Sequence, residues 1–481
     1  MEVWRWKPDR EDKKSIYQQI VDYFVTKIKC GDLPPGSPIP TQRELASSFE
    51  VNRSTVMEAL EELKFLGLLQ SKGKRGTWVS RHLPSHLERL PNWQSYIEEG
   101  IHNSNKGTLQ VINNNEFKDN MLRLGTGEAS SELFPGSEMQ KILGDIGRTL
   151  NKLGYEEPKG MPELRDQVSR YLKSIDIYAP PENILIVSGA LQSIQLISMG
   201  LLHQGSLVFL EKPSFLYSLE VFQSLGMKRA GIPMDNEGIR VDLLKDYGKK
   251  ARSSILYTIP NFQNPTGRMM SLERRKLLIK TCEKENIPII EDDVYRELWI
   301  DKPPPVSLKS MDDKGLVLYV GSVSKSLSSG LRIGWIVGPE RVIDRLADLK
   351  MQIDYGSSSL AQLAVAKWFE TGLHQIHTEK LRQSLRQRRD NTLELLACNF
   401  GDLARWEIPS GGFFVWVEIL ADISMQKLFE KAAAHNLIIY PGYLYDTTPN
   451  KYIRISYSYA SMEDMKRGIK ILARIIRELS S

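Results

Sequence analysis

The sequence VLYVGSVSKSLSSGLR, residues 317–332, joins an apolar run to a turn that carries one lysine among serines. The run 317–320 is typical of a buried parallel strand, so Lys325 lies just beyond the end of a predicted strand. A lysine amine can form an imine with an aldehyde cofactor, and the serine hydroxyls with Arg332 could hold a phosphate of that cofactor. Taken alone, a serine-rich turn with one lysine is more often a surface loop.

Four more apolar runs, separated by helix-length amphipathic stretches, accompany this one. They lie at 184–187, 207–210, 255–259 and 288–290. This alternation predicts an α/β fold with a parallel sheet and helices on both faces. From about residue 370, long predicted helices and predicted strands at 413–418 and 452–456 indicate a smaller C-terminal α+β lobe.

Polar residues follow several of these runs, at the sheet edge where ligands of such folds bind. Ser188-Gly189-Ala190-Leu191 comes after the first run, and small residues there expose backbone amides to a phosphate at a helix N-terminus. Asn264 and Tyr295 could each bond a phenolate oxygen, whereas Asp292 could keep a pyridine nitrogen protonated and make the ring an electron sink. Arg454, on the last predicted strand, suits a bidentate grip on a carboxylate.

Each of these motifs also has an ordinary structural explanation. Asn-Pro-Thr-Gly, at 264–267, is a common turn, Asp292 could cap a helix, and Arg454 could pair with a surface carboxylate. Five such motifs at strand ends, in this order, are better explained by a single ligand site.

In this order the motifs resemble the fold-type I pyridoxal-phosphate enzymes, the aspartate aminotransferase superfamily, over residues 120–478. The resemblance implies that Lys325 forms the internal aldimine with pyridoxal 5'-phosphate. It implies further that Asp292 pairs with the pyridine nitrogen and that Asn264 and Tyr295 bond the phenolate oxygen.

The same resemblance assigns the remaining contacts of the cofactor and the substrate. Arg454 binds a substrate α-carboxylate, and Tyr155 lies in a loop that in this superfamily often comes from the dimer partner. The ring that stacks on the cofactor is Phe215. The phosphate is held by the backbone amides of Ala190 and Leu191 together with Ser322, Ser324 and Arg332.

The sequence departs from the expected pattern at three places. PNFQNPTG, residues 260–267, is the form typical of true aminotransferases. Many transcription regulators that contain a domain of this superfamily carry a different motif there. Leu191 replaces a usual polar residue beside the phosphate. Tyr217 stands where regulators that sense γ-aminobutyrate carry a basic residue, which weakens the case for that effector.

Residues 1–80 predict a winged helix-turn-helix, built from three helices and a hairpin. Ile16, Ile20, Phe24 and Ile28 form one apolar stripe. A capping box at 41–44 opens a second helix, and Asn52 can cap a third. Short β-prone pieces at 68–71 and 77–80 flank a basic Gly-hinged turn at 72–76.

This N-terminal stretch resembles the DNA-binding domain of the GntR family nearly throughout. The second helix of such a motif enters the major groove with its N-terminal residues first. The alternative to DNA binding is a small helical module whose basic hairpin is simply solvated. The resemblance implies DNA contacts from Arg43, Arg53, Ser54 and Thr55, and from the wing at Lys72 and Gly73.

The order of the two parts is the layout of MocR-type regulators, a GntR subfamily. We therefore expect a DNA-binding domain at 1–80, a linker at 81–119 with a short helix near 93–99, and a cofactor-binding, effector-sensing domain at 120–481. The resemblance also implies a homodimer, in many members head-to-tail and domain-swapped.

Composition sets broader limits. The chain has 481 residues, a formal net charge of +5 and three widely spaced cysteines, which offer neither a disulfide framework nor a metal site. No signal-peptide pattern or membrane-spanning apolar run is present, so we expect a cytoplasmic protein without a membrane partner. The mild net charge permits binding to double-stranded DNA without arguing for it.

The favoured function is a transcription regulator that binds an operator and senses an amino acid or related amino compound through external aldimine formation at the Lys325 site. An active aminotransferase with an appended DNA-binding module is the alternative, and a cofactor-free scaffold is a remote third. Aromatic side chains expected in the effector pocket are Tyr155, Tyr217, Phe262 and Tyr355.

Overall fold

The computed structural model describes residues 4, 6–71, 73, 76–83, 96, 99–100, 107–244 and 253–480. The chain divides into two compact units, residues 1–103 and 104–481, and each has its own apolar core.

The first unit contains three helices and a small antiparallel sheet. The helices are α1 (Ile16–Lys29), α2 (Gln42–Phe49) and α3 (Arg53–Phe65), and the strands are β1 (Pro38–Ile39), β2 (Leu69–Ser71) and β3 (Thr77–Val79). β3 lies between β1 and β2. The predicted winged helix-turn-helix is confirmed. β1 is an addition, since a two-residue strand that contains Pro38 and precedes Pro40 gives no strand signal.

The local predictions for this unit hold with one exception. Ile20, Phe24 and Ile28 are buried, as the apolar stripe requires. Thr41 forms the complete capping box at the start of α2. Asn52 precedes α3, but its side chain makes no capping hydrogen bond, so the predicted cap is wrong in its chemistry.

The second unit contains the remaining strands. In chain order they are β4 (Leu122–Arg123), β5 (Ile184–Val187), β6 (Leu207–Lys212), β7 (Lys228–Asp235), β8 (Gly238–Ile239), β9 (Ser254–Thr258), β10 (Ile289–Asp292), β11 (Val317–Ser322), β12 (Gly334–Val337), β13 (Ala404–Trp406), β14 (Phe414–Ile419), β15 (Leu437–Ile438), β16 (Tyr440–Pro441) and β17 (Tyr452–Ser456).

Eight of these strands form the main sheet, in the order β5-β12-β11-β10-β9-β6-β7-β8. All five predicted runs are strands of this sheet. β12 runs antiparallel to both of its neighbours, which the prediction of parallel strands did not include. The reversal at Arg332, in the left-handed region (φ 52°), turns the chain back along β11. The loop that carries Lys325 is thereby held at the sheet edge where β9, β10 and β11 end.

Eleven described helices of at least four residues accompany these strands. They are α4 (Gly107–Asn115), α5 (Gly136–Thr149), α6 (Pro162–Lys173), α7 (Ala190–Leu201), α8 (Val221–Ser224), α9 (Leu272–Glu285), α10 (Glu340–Ile353), α11 (Ser359–Glu370), α12 (Leu373–Phe400), α13 (Met425–Ala434) and α14 (Met462–Ser480).

A second, antiparallel sheet forms the expected C-terminal lobe, in the order β13-β14-β17-β16. β4 pairs in parallel with β15 of the same region, so the chain just after the predicted linker packs against the C-terminal part. Within the described residues, no helix has both the length and the apolar character needed to cross a membrane.

The predicted linker at 81–119 needs correction at its C-terminal end. Residues 107–115 form α4, in which Thr108 and Ile112 are buried in the second unit. The polar run 113–115 suggested coil, but most of α4 is exposed and only one face packs, so a few apolar residues suffice. The helix expected near 93–99 falls mostly outside the described residues.

Candidate cofactor and effector site

A cavity of about 500 Å³ lies where strands of the main sheet end. The structure brings together every cofactor-binding residue predicted from the sequence, and Arg454 with them. The predicted residues that line this cavity are Ala190, Leu191, Phe215, Asn264, Asp292, Tyr295, Ser322, Ser324, Lys325, Arg332 and Arg454.

Lys325 lines the cavity. Its Nζ donates a hydrogen bond to the backbone oxygen of Gly127 at 2.6 Å. Removal of the amine from water lowers the pKa of Lys325 to about 8, and the Glu128 carboxylate acts in the opposite direction. A larger neutral fraction at neutral pH makes this amine a better nucleophile than an ordinary lysine.

Asp292 ends β10 and is buried. Its carboxylate accepts a hydrogen bond from the Tyr257 hydroxyl at 2.6 Å and from the backbone nitrogen of Val294 at 3.4 Å. Burial raises the pKa of Asp292 to about 6, so the group is still mostly ionised at pH 7. An anion in this position is suited to a protonated ring nitrogen.

Asn264, Tyr295 and Arg454 form one hydrogen-bonded chain across the cavity. Asn264 Nδ2 donates to the Tyr295 hydroxyl at 3.2 Å, and Arg454 Nη1 donates to Asn264 Oδ1 at 2.7 Å. Arg454 Nη2 donates to the backbone oxygen of Gly125 at 2.7 Å. The Nε of Arg454 is buried and has no hydrogen-bond partner in the described part of the chain, which fits a site that awaits an acceptor.

Three aromatic rings surround the Arg454 guanidinium, a cation–π arrangement. The ring centroids of Phe414, Tyr440 and Tyr445 lie 4.2, 4.8 and 5.0 Å from its central carbon. These rings fix the plane of the guanidinium, and they restrict the direction from which a carboxylate can reach it.

The end of the cavity where the sequence predicts a phosphate depends on one glycine. Gly189 precedes α7 with φ 88°, and Arg332 Nη2 donates to the backbone oxygen of Ser188 at 2.8 Å. A Cβ on Gly189 would lie 2.5 Å from Arg332 Nη2, so only glycine leaves room for this approach. The first-turn amides at Ala190 and Leu191 have no partner within the helix, which leaves them available to an anion.

Ser322 and Ser324 complete this end of the cavity. Ser322 Oγ donates to the backbone oxygen of Ile333 at 2.8 Å, and it accepts from the backbone nitrogen of Ser324 at 3.0 Å. Phe215 lines the cavity and its backbone nitrogen donates to the backbone oxygen of Asn264 at 3.0 Å. The residues present therefore fit a phosphorylated pyridine aldehyde.

The prediction of which aromatic residues line the cavity was wrong. Tyr155 is 81% exposed and contacts Tyr355 ring to ring at 4.7 Å, away from the cavity. Tyr217 and Phe262 are buried in the core. The rings that do line the cavity are Phe117, Phe215, Tyr257, Tyr295, Tyr440 and Tyr445. The role of Tyr155 in a second copy of the chain stays a prediction.

Sequence reasoning missed the wall that α4 and the residues after it supply. Leu109, Ile112 and Phe117 line the cavity. Glu116 lines it too, and its Oε1 accepts from Thr126 Oγ1 at 2.9 Å and from the Tyr440 hydroxyl at 3.2 Å. The only available signal was the apolar pair 109 and 112 within a polar stretch.

The predicted DNA contacts lie on one part of the first unit. Arg53, Ser54 and Thr55 form the first turn of α3, and the Arg53 side chain is exposed. Arg53 Nη2 donates to Gln42 Oε1 at 3.4 Å, so the starts of α2 and α3 are adjacent. Arg43 is exposed near the start of α2.

The wing is described only in part. Gly73 has φ 57°, the left-handed conformation suited to a tight turn. Lys72 lies outside the described residues.

Two protein families match this chain. Residues 119–472 match the family described as aminotransferase class I and II, and residues 16–79 match the bacterial regulatory proteins of the gntR family. A relative from Bacillus subtilis, named an uncharacterized HTH-type transcriptional regulator, YdfD, is 49% identical and covers 98% of this chain and 99% of its own length. The HTH-type transcriptional regulator NorG of Staphylococcus aureus is 35% identical over 90% of this chain and 97% of its own.

Solved structures with the same fold include aminotransferases. The multiple substrate aminotransferase of Thermococcus profundus has a TM-score of 0.75 and 29% identity, and covers 81% of this chain and 99% of its own. The kynurenine aminotransferase of Pyrococcus horikoshii has a TM-score of 0.74 and 28% identity, and the match covers 82% of this chain and 98% of that protein. The chain thus belongs to the aminotransferase class I and II family, joined to a GntR-family DNA-binding domain in the layout of the MocR-type regulators.

Proposed function

We propose that this protein is a pyridoxal-phosphate-dependent transcription regulator that binds operator DNA and senses an amino acid or related amino compound. The main observation in support is that Lys325, Asp292 and Arg454 line the same cavity, in a chain that also has a GntR-family domain. When bound, pyridoxal phosphate supplies an aldehyde for primary amines and an electron-withdrawing ring.

Each residue of the cavity has a separate task in this proposal. Lys325 supplies the amine that holds the cofactor covalently, and Asp292 holds the proton of the ring nitrogen. Asn264 and Tyr295 hydrogen-bond the ring oxygen, and Arg454 binds the carboxylate of the effector. The Gly189 turn with Arg332 holds the phosphate.

The signal is proposed to come from contacts that span the two lobes. Arg454 belongs to β17 of the C-terminal sheet, whereas Asn264 and Lys325 follow strands of the main sheet. A ligand that contacts both groups stabilises the arrangement in which they are closest, and it shifts the population towards that state. We include in the proposal a homodimer in which Tyr155 of one copy serves the cavity of the other.

The experiment that tests the regulator is DNA retention with effector candidates. A fragment from upstream of the protein's own gene is titrated with the holoprotein, with and without each of a panel of amino compounds. We expect specific retention that at least one compound changes. Absence of retention under every condition would contradict the proposal.

A second candidate function is transamination. It is favoured by the presence of the complete residue set, including Asn264 and Arg454, in a fold shared with working aminotransferases. Steady-state turnover of an amino acid with 2-oxoglutarate would support it. No turnover with any of the twenty amino acids would exclude transamination of those substrates and leave the regulator as the better account.

The lowered pKa of Lys325 predicts a pH dependence of cofactor uptake by the apoprotein. Only the neutral amine reacts, and its fraction rises about tenfold per pH unit below the pKa. With a pKa of about 8, the rate should rise steeply from pH 6 and level off above pH 8. Stopped-flow absorbance of the bound cofactor measures this rate. A rise that continues to pH 10 would indicate an ordinary lysine.

A further inference from the structure

The cations that line the cavity are already engaged with neutral groups. Lys325, Arg332 and Arg454 donate to the oxygens described above. The remaining one, Arg123, donates from Nη1 to the Tyr459 hydroxyl at 2.6 Å and its guanidinium lies 5.3 Å from the centroid of that ring. No carboxylate of the described residues forms an ion pair with any of these four charges, although the Glu128 carboxylate acts on Lys325 at longer range and raises its pKa.

The carboxylates that line the cavity differ in whether a described residue donates a hydrogen bond to them. Asp292 accepts from a tyrosine hydroxyl, and Glu116 accepts from Thr126 and Tyr440. Glu128 also lines the cavity, and it lines the more polar cavity beside it as well. Glu128 is exposed, and in the described part of the chain its carboxylate accepts no hydrogen bond and forms no ion pair, so it is open to water or to a ligand in the cavity.

The segment 125–128 places Glu128 relative to the two groups that would hold an amino acid. The backbone oxygen of Gly125 accepts from Arg454, and that of Gly127 accepts from Lys325. Glu128 is the next residue after the one bonded to the lysine. Its side chain lines the same cavity as Lys325 and Arg454, and its charge acts on the Lys325 amine.

The backbone of Glu128 is held by a hydrogen bond. Its backbone oxygen accepts from Ser458 Oγ at 2.6 Å. An amino acid whose carboxylate binds Arg454 and whose amino group meets Lys325 would share its cavity with this exposed, unpaired carboxylate. That arrangement favours a second, cationic group on the side chain of the effector.

We propose that Glu128 is a specificity-determining residue, and that the effector is a basic α-amino acid with a second, distal amino group. Arg454 would bind the carboxylate, and Glu128 would pair with the distal ammonium. This inference rests on the proposed function, because it names the ligand class of the same cavity.

The test compares L-lysine with L-norleucine, which has the same carbon chain without the distal amine. Each is titrated into the holoprotein, and the shift of the visible cofactor absorbance gives a dissociation constant. The ratio of the norleucine dissociation constant to the lysine dissociation constant measures the contribution of the distal ammonium to binding. In Glu128→Gln this ratio should fall about fivefold, the size expected for a solvent-accessible ion pair. Asp464→Asn, which makes the same charge change in the adjoining cavity, should leave the ratio unchanged.

The outcomes separate the inference from the proposed function. Equal ratios in the wild type and Glu128→Gln overturn the inference, and a second copy of the chain that neutralised Glu128 would give that result. A response to norleucine as strong as to lysine in the wild type also overturns it, while the proposed function stands. Failure of both amino acids to shift the absorbance overturns the inference, and retention of DNA with another effector then decides the proposed function.

Discussion

Replacement of Lys325 by alanine is expected to abolish the visible absorbance band of the covalently held cofactor, while DNA retention without effector persists. The amine of Lys325 is the only lysine amine lining the cavity among the described residues, so no other lysine can substitute for it. Absorbance after reconstitution with pyridoxal phosphate, followed by dialysis, measures the loss. The variant should also lose any response of DNA binding to amino compounds.

The fold of this variant should survive. The folded pKa of Lys325 is about 8, below the value of 10.5 for a free lysine, so at neutral pH protonation of this amine opposes folding. That cost disappears as the pH rises from about 8 towards 10.5, and alanine removes it altogether. Thermal unfolding of the apoprotein near pH 7 should therefore show no loss of stability beyond the lost side-chain packing. Loss of DNA binding in Lys325→Ala alone would mean that the two units are more strongly coupled than proposed.

Replacement of Arg53 by alanine is expected to weaken operator binding about 10-fold to 100-fold, the range for an arginine that contacts a base. Arg53 begins α3, and among the described residues the one contact that its exposed guanidinium would give up on binding DNA is the long hydrogen bond to Gln42. The salt dependence of the affinity should also become shallower by about one counterion if the lost contact is to a phosphate. Fluorescence anisotropy with a labelled upstream fragment measures both effects.

Lys64→Ala is the matched control for Arg53→Ala. Lys64 lies in the last turn of the same helix and is paired with Glu61 at 2.7 Å. The Lys64→Ala substitution removes the same charge from α3, but at the end of the helix far from the one expected to enter the DNA major groove. Its effect on operator affinity should therefore be small. The cofactor absorbance should be normal in both variants. Equal losses from the two substitutions would show that Arg53 contributes only its charge.

Much of the candidate cofactor site was predictable because its sequence signals are local. Lys325, Asp292 and Asn264 each follow an apolar run within a few residues, and the end of a strand can be recognised without knowing its neighbours. The capping box of α2 is local in the same way. For such motifs the residues and the structure they form lie within one short stretch.

The missed contacts depend on packing between distant segments. Tyr257 was part of an apolar run, and its role appears only because β9 pairs with β10 in the register Tyr257 to Ile290, which brings its hydroxyl to Asp292. Glu116 meets the Tyr440 hydroxyl across 324 residues. The antiparallel direction of β12 follows from the reversal at Arg332, and positive φ at an arginine has no sequence signature.

The setting of Arg454 also bears on how such experiments should be designed. Its guanidinium is held by two neutral oxygens and three rings, and no carboxylate of the described residues competes for it. An arginine held in this way is open to small anions from the buffer as well as to the carboxylate of an effector. Acetate and chloride would then act as weak inhibitors of effector binding. Titrations in low-salt buffers with bulky anions would give affinities closer to the intrinsic values.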